Sequence, residues 1–216
     1  MRAPVGLVAL SIVPLIAGAV RLRQIASHAP STVENERFVL GPVPIVLHIV
    51  GATLFALLGA VQFAPTLRLP RSRWHRWSGR IALPAGMVTA ATGLWMTTTY
   101  RLPPSDNAAL FVLRVLAGVG MVLALGLSLT SVYERDFVSH RAWSARGYAL
   151  GMGAGTQVLT HLPFFALGIE PTGNLRAFLM GVAWLINLLV AETYVQRKKR
   201  KIAEGNLSSA LAPRES

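Results

Sequence analysis

The sequence predicts an all-α, polytopic membrane bundle of six transmembrane helices, and three observations predict it. Hydrophobic residues make up 53% of the chain and charged residues only 14%, against roughly 25% charged in a soluble domain. The apolar residues are gathered into six runs, each near the roughly 20 residues that cross about 30 Å of hydrocarbon. Short basic clusters separate those runs, so the net charge of +12 sits at span ends. In a soluble protein that charge would point to nucleic acid. Beside apolar spans, Lys and Arg instead set orientation and meet anionic lipid, so the bilayer is the partner and nucleic acid is not.

The first span covers 3–20 and contains Pro14. Arg2 before it and Ala17-Gly18-Ala19 at its end also fit a signal peptide with a small-residue cleavage site. Arg21 and Arg23 directly after that site oppose export, and a membrane helix is the preferred reading. The second span covers 42–64, the third 81–100 and the fourth 108–132, interrupted by Arg114. The fifth runs from about 147 to 169 and the sixth from 177 to 195. These runs are too long for core strands. Residues 1–201 form one transmembrane domain, and 202–216, small and polar without periodicity, read as a disordered cytoplasmic tail.

Orientation follows from the basic residues. With six spans, 15 of the 21 Lys and Arg residues fall on the side of the two termini and the 65–80 and 133–146 loops. Five fall on the other side, and Arg114 lies inside a span. By the positive-inside rule the first side is cytoplasmic. The run Arg197 to Lys201 is most simply an anchor at the lipid headgroups.

An internal echo divides the chain further. His75-Arg76-Trp77-Ser78-Gly79-Arg80 precedes the third span, and His140-Arg141-Ala142-Trp143-Ser144-Ala145-Arg146 precedes the fifth. The two match with one residue inserted, at equivalent topological places. Spans two–three and four–five therefore read as two related helical hairpins, a kind of repeat common in membrane folds.

Together with His48-Ile49 and Gly59-Ala60-Val61-Gln62-Phe63, and with Tyr148-Ala149-Leu150, these motifs resemble the bacterial family catalogued as domain of unknown function 2306, over about residues 42–160. The resemblance implies a multi-pass protein of the bacterial inner membrane with no established activity. His48, His75 and His140 match the family's histidines; His161 is not part of its motif.

Ionisable side chains inside a bilayer cost roughly 2.5–3.5 kcal/mol each at mid-span and usually face the bundle interior. Three stand at equal depth here. His48, Arg114 and His161 each lie seven residues inside their spans, counted from Gly41, Asn107 and Gly168 on the outer side. At 1.5 Å per residue that is about 10 Å down. Arg114 has no acidic residue at its depth; Asp106 and Glu170 belong to outer loops, so an anion from outside the chain is expected to neutralise it. A second, cytoplasmic layer holds His75 and His140, with Arg76, Arg80, Arg141 and Arg146 beside them.

Two histidine layers, one near each face, are the layout of bis-histidine di-haem membrane cytochromes. Neutral imidazole is a good axial ligand, and arginines hold propionates. The leading expectation is thus a b-type haem electron-transfer protein, with His75 and His140 on one haem and His48 and His161 on another. A redox partner or quinone would serve it. The glycines fit this: Gly147, Gly151 and Gly155 share a helical face with the histidines, and Gly51 and Gly59 share one with His48.

Plainer readings stand beside it. Small-xxx-small faces are the ordinary interface of packed membrane helices. Arg114 can snorkel outward. The His/Arg/Trp motifs can anchor helix ends, bind lipid headgroups or contact a partner, in a protein with no enzymatic role. A small transporter with His48 and Arg114 in its path is the third reading. The chain has no cysteine, which excludes disulfides, iron–sulfur clusters and thiolate metal sites. It also lacks a phosphate-binding glycine loop and an acid–base pair for hydrolysis.

Overall fold

The computed structural model describes residues 2–32, 35–63 and 73–211. Segment 64–72, which carries Arg68 and Arg71 of the charge count, and residues 212–216 of the expected tail lie outside the described residues. The order is α1 (Arg2–Ala26), α2 (Glu36–Leu40), α3 (Pro42–Gln62), α4 (Arg73–Thr99), α5 (Ala108–Tyr133), α6 (Phe137–Gly151), α7 (Gly153–Ala166) and α8 (Gly173–Leu211). Among the described residues there is no strand.

Among the described residues four helices are long and apolar enough to cross a membrane: 4–26, 42–62, 108–133 and 173–204. The third and fifth expected spans differ. Helix α4 begins eight residues early, just before its motif, and carries Arg73, Arg76, Arg80 and a run of threonines, which dilute its apolar character. The fifth is interrupted: α6 starts at Phe137, takes in the whole second motif and stops at Gly151, and α7 resumes after Met152. Small residues surround the break, and Asn187 Nδ2 donates to the carbonyl of Ala149 beside it, at 3.1 Å. A helix broken at membrane depth is tolerated where the protein itself supplies such bonds. Helix α8 continues past residue 201, through much of the stretch expected to be disordered.

Phe55 is the wedge at the centre. A methyl group on Gly86 would lie 2.6 Å from its ring, and so would one on Gly151. The Tyr148 ring centroid lies 5.4 Å from that of Phe55, and Tyr148 donates its hydroxyl to the carbonyl of Ala56 at 2.8 Å. Around them Ala60, Ala82, Ala85, Met121 and Leu125 form the buried core. The glycine faces of α3, α4 and α6 thus turn inward to admit neighbouring side chains, the ordinary use of small residues in membrane bundles. Helix α1 lies against α3 and α7, with Gly18 against Ile49 and the Leu10 backbone against Gly155.

The tightest helix pairs are α3 with α4 and α5 with α6. Each is fastened by its motif serine. Gln62 Nε2 donates to Ser78 Oγ at 2.6 Å, and the Ser128 and Ser144 hydroxyls lie 2.7 Å apart. Helix α8 is tied to α6 by Arg146, whose Nε and Nη2 both reach Glu192 Oε2, at 3.1 and 2.7 Å.

Candidate functional site

At the end of the bundle that carries α2, the loop 100–107 and the turn before α8, a cavity of about 430 Å³ enters between α3, α4, α5, α7 and α8. His48 and Arg114 both line it.

His48 is oriented from behind. Its Nδ1 lies 3.0 Å from the carbonyl of Thr89 and 3.2 Å from the hydroxyl of Thr92. A carbonyl can only accept, so Nδ1 carries the proton, and the remaining nitrogen, Nε2, is a lone-pair acceptor. Thr92 donates its own hydroxyl to Val88 at 2.6 Å, which leaves its oxygen free to accept from the ring. Gly93 makes room for the imidazole: a methyl there would lie 3.4 Å from His48 Cε1.

Above His48 the rim is basic. Arg37, Arg101, Arg114 and Arg176 line the cavity against one carboxylate, Asp106. Here the structure corrects the expectation that Arg114 lacks an acidic neighbour. Its Nη1 lies 2.6 Å from Asp106 Oδ2, and Arg176 Nε lies 2.9 Å from Oδ1. The Asp106 side chain is fully buried, while those two arginines are 24% and 28% exposed. The loop folds inward because Ser105 accepts from the Gly173 backbone at 2.8 Å, and Asn107 caps α5 at the Leu110 N–H and bonds Asn174. Arg114 then extends along its helix to the loop, as a snorkelling side chain does. Arg37 donates to the Arg101 carbonyl at 3.3 Å and rests on the Phe38 ring. Burial pushes the Arg37 guanidinium below its ordinary value, and Arg114, Arg21 and Arg176 push the same way against Asp106. The rim therefore carries more positive charge than its carboxylate neutralises.

Below the rim the wall is apolar, formed by Met96, Met121, Leu150, Met180 and Trp184. Polar groups interrupt it, among them Thr97 and Gln157, the second of which the sequence offers for a proton or ion path. Gln157 on α7 lines the cavity, and its buried Nε2 has no hydrogen-bond partner among the described residues.

His161 itself is not among the lining residues. It is buried with its Nδ1 2.8 Å from the Gln157 carbonyl, and its ring lies beside Phe165. The expected outer pair of His48 and His161 is therefore not assembled on one cavity. In the second layer His140 Nδ1 is taken by Ser128, 2.9 Å from both its hydroxyl and its carbonyl. The carbonyl of half-buried His75 accepts from Gln62 at 3.2 Å. Arg76 and Arg141 are exposed, and the cavity beside Arg141 is about 10 Å³, the space of one water. Among the described residues no group of three or more His, Asp or Glu side chains is placed to hold a metal ion.

The upper cavity meets His48 and not His161, so the expected outer bis-histidine haem lacks one of its two ligands there. What the upper cavity can do is hold an elongated molecule with a negative head, an apolar body and a polar group.

No curated protein and no solved structure is significantly similar to the chain. Residues 45–195 match the family model described as "Predicted membrane protein (DUF2306)", a span that holds both motifs, His48 and the cavity walls from Ile45 to Trp184. The chain belongs to that family of membrane proteins.

Proposed function

We propose that this is a multi-pass membrane protein that binds an amphipathic anion inside its bundle, entering from the side opposite the cytoplasm. One observation carries the reading: four arginines against one aspartate at the mouth of an apolar cavity of about 430 Å³. An unbalanced cationic rim over an apolar wall favours a ligand with one charged end, because charge-assisted bonds hold the head while burial of the body adds about 25 cal/mol per Å². In this reading the chain crosses the bilayer six times, with α4 and the α6–α7 pair as the two less apolar crossings and the two motif-bearing hairpins as repeats. The termini lie in the cytoplasm of a bacterial cell, since most basic residues fall at that end.

Native mass spectrometry of the purified full chain tests it with dodecanoate, which has one anionic head and an apolar body. Dodecanoate should bind with one-to-one stoichiometry, dodecanol at least about ten-fold more weakly, and Arg101→Gln with Arg114→Gln should remove most of the difference. Equal binding of acid and alcohol sinks the reading.

The second reading, a haem electron carrier, rests on one observation: the fixed Nδ1 of His48 leaves Nε2 as a ligand nitrogen. Protein purified from haem-supplemented cells with a reducible Soret band that His48→Leu abolishes would establish it. A featureless spectrum removes it.

A further inference from the structure

Cations also gather at the opposite end of the bundle, where α6 begins and α8 runs out past the apolar core. Val138, Arg141 and Ala142 follow one another at helical spacing on α6, and Val195, Lys198, Lys199 and Ile202 do so on α8. The two faces meet around one shallow cleft. Ala142 and Val195 are buried together beneath it. At its edge Arg141 is exposed and Lys198 half-buried, one from each helix.

The nearby acids are engaged elsewhere. Asp136 caps α6 at the Val138 and Ser139 N–H groups, and Glu192 accepts from Arg146 and Gln196. Lys199 stands close enough to act electrostatically on both carboxylates. Arg141 and Lys198 have no carboxylate within ion-pair distance among the described residues.

Depth and shape name the partner. Lys198 lies 25 residues along α8 from Gly173, or about 37 Å at 1.5 Å per residue. That is beyond about 30 Å of hydrocarbon and within the roughly 40–45 Å that includes the headgroups. Two cations at headgroup level meet phosphate, and charge-assisted bonds to it are strong. The cleft, of about 10 Å³, seats one oxygen-sized group and not a side chain from a docking helix.

We propose that the α6–α8 cleft holds one anionic phospholipid, its phosphate between Arg141 and Lys198, in the leaflet that is cytoplasmic in the orientation proposed above. Basic pockets between helices at this face suit such headgroups. A zwitterionic lipid is the poorer ligand, because its own ammonium competes for the phosphate. The inference uses the membrane fold and not the anion cavity, so each fails separately.

The sequence supplies a charge-matched control. At about 100° per residue with Lys198 at zero, Ile202, Val195 and Lys199 fall at about 40°, 60° and 100°, and Arg197 and Arg200 at about −100° and 200°. Arg197 and Arg200 therefore point away from the cleft. The test counts lipids retained by the full-length protein in native mass spectrometry, offered phosphatidylglycerol and phosphatidylethanolamine with identical acyl chains. Wild type should retain one phosphatidylglycerol with about ten-fold preference. Arg141→Gln with Lys198→Gln should cut the preference to about two-fold or less, while Arg197→Gln with Arg200→Gln should keep it; thermal unfolding of both in detergent shows that they are folded. Excess inorganic phosphate should not displace the lipid, which its acyl chains also hold. Absence of the preference in wild type, which needs no variant, overturns the proposal and leaves the cleft to a protein partner. Equal loss in both double variants overturns it in favour of diffuse surface charge, and displacement by phosphate in favour of a free-anion site.

Discussion

Asp106 is the residue on which the rim depends. Its buried carboxylate answers two arginines, so neutralising it leaves two guanidiniums beside each other with nothing between them. Removing one partner of a buried pair costs about 3–5 kcal/mol; partial exposure of both arginines relieves some of this, and about 2 kcal/mol is expected for Asp106→Asn. The measurement is thermal unfolding in detergent, and adding Arg114→Gln to Asp106→Asn should recover part of the loss, as coupled neighbours do. An Asp106→Asn protein as stable as wild type would contradict the account. This pairing was not legible in the sequence. Counting depth along a helix places a side chain at its Cα, whereas Arg114 reaches toward a loop eight residues earlier that is pulled inward by Gly173. His48 was legible, because a lone imidazole inside an apolar run is conspicuous; Thr89 and Thr92, which set its tautomer, lie 41 and 44 positions away.

At the scale of elements, the glycines divide into those that admit a neighbour and those that do not. A methyl group on Gly59 would overlap the Tyr148 ring, while one on Gly126 meets nothing within 4 Å. Gly59→Ala should therefore destabilise the α3–α6 contact by about 1–3 kcal/mol through overpacking. Gly126→Ala should be neutral or slightly stabilising, by up to about 1 kcal/mol of helix propensity. Unfolding of the two variants in parallel checks this, and equal effects would refute the packing role. Helix α6 has a separate dependence on Asp136. Hydrogen bonds from the Ser139 side chain and from the Ser139 and Val138 backbone hold its carboxyl below the ordinary carboxylate range. With the folded value depressed, the contribution of this cap is present above the ordinary carboxylate pKa and is lost as pH falls through the depressed value. Hydrogen exchange at the start of α6 should speed up in acid and in Asp136→Ala at neutral pH, and Asp136→Asn should keep the neutral-pH protection. The break at Met152 was hidden from sequence reading because an apolar run with glycines every fourth position fits a continuous helix equally well. What decides it is Trp184 from α8 packed on Gly153 and Asn187 bonding Ala149.

At the scale of the whole molecule, the helical class and the inward glycine faces were readable from composition and helical period. The division of the histidines into two haem sites was read from depth alone. Depth was the weak guide, because two residues at one level can face different neighbours: His48 turns to α4 and the cavity, His161 to its own helix. The central claim is that a cavity opens on the side opposite the cytoplasm and takes an amphipathic anion, and the absence of native cysteine makes it directly testable. Ala154, exposed on the cavity wall, supplies the probe site. In intact cells or right-side-out vesicles, Ala154→Cys should react with a membrane-impermeant maleimide added outside, and dodecanoate should slow that labelling while dodecanol does not. Labelling only from the cytoplasmic side, or a rate unchanged by dodecanoate, would contradict the account.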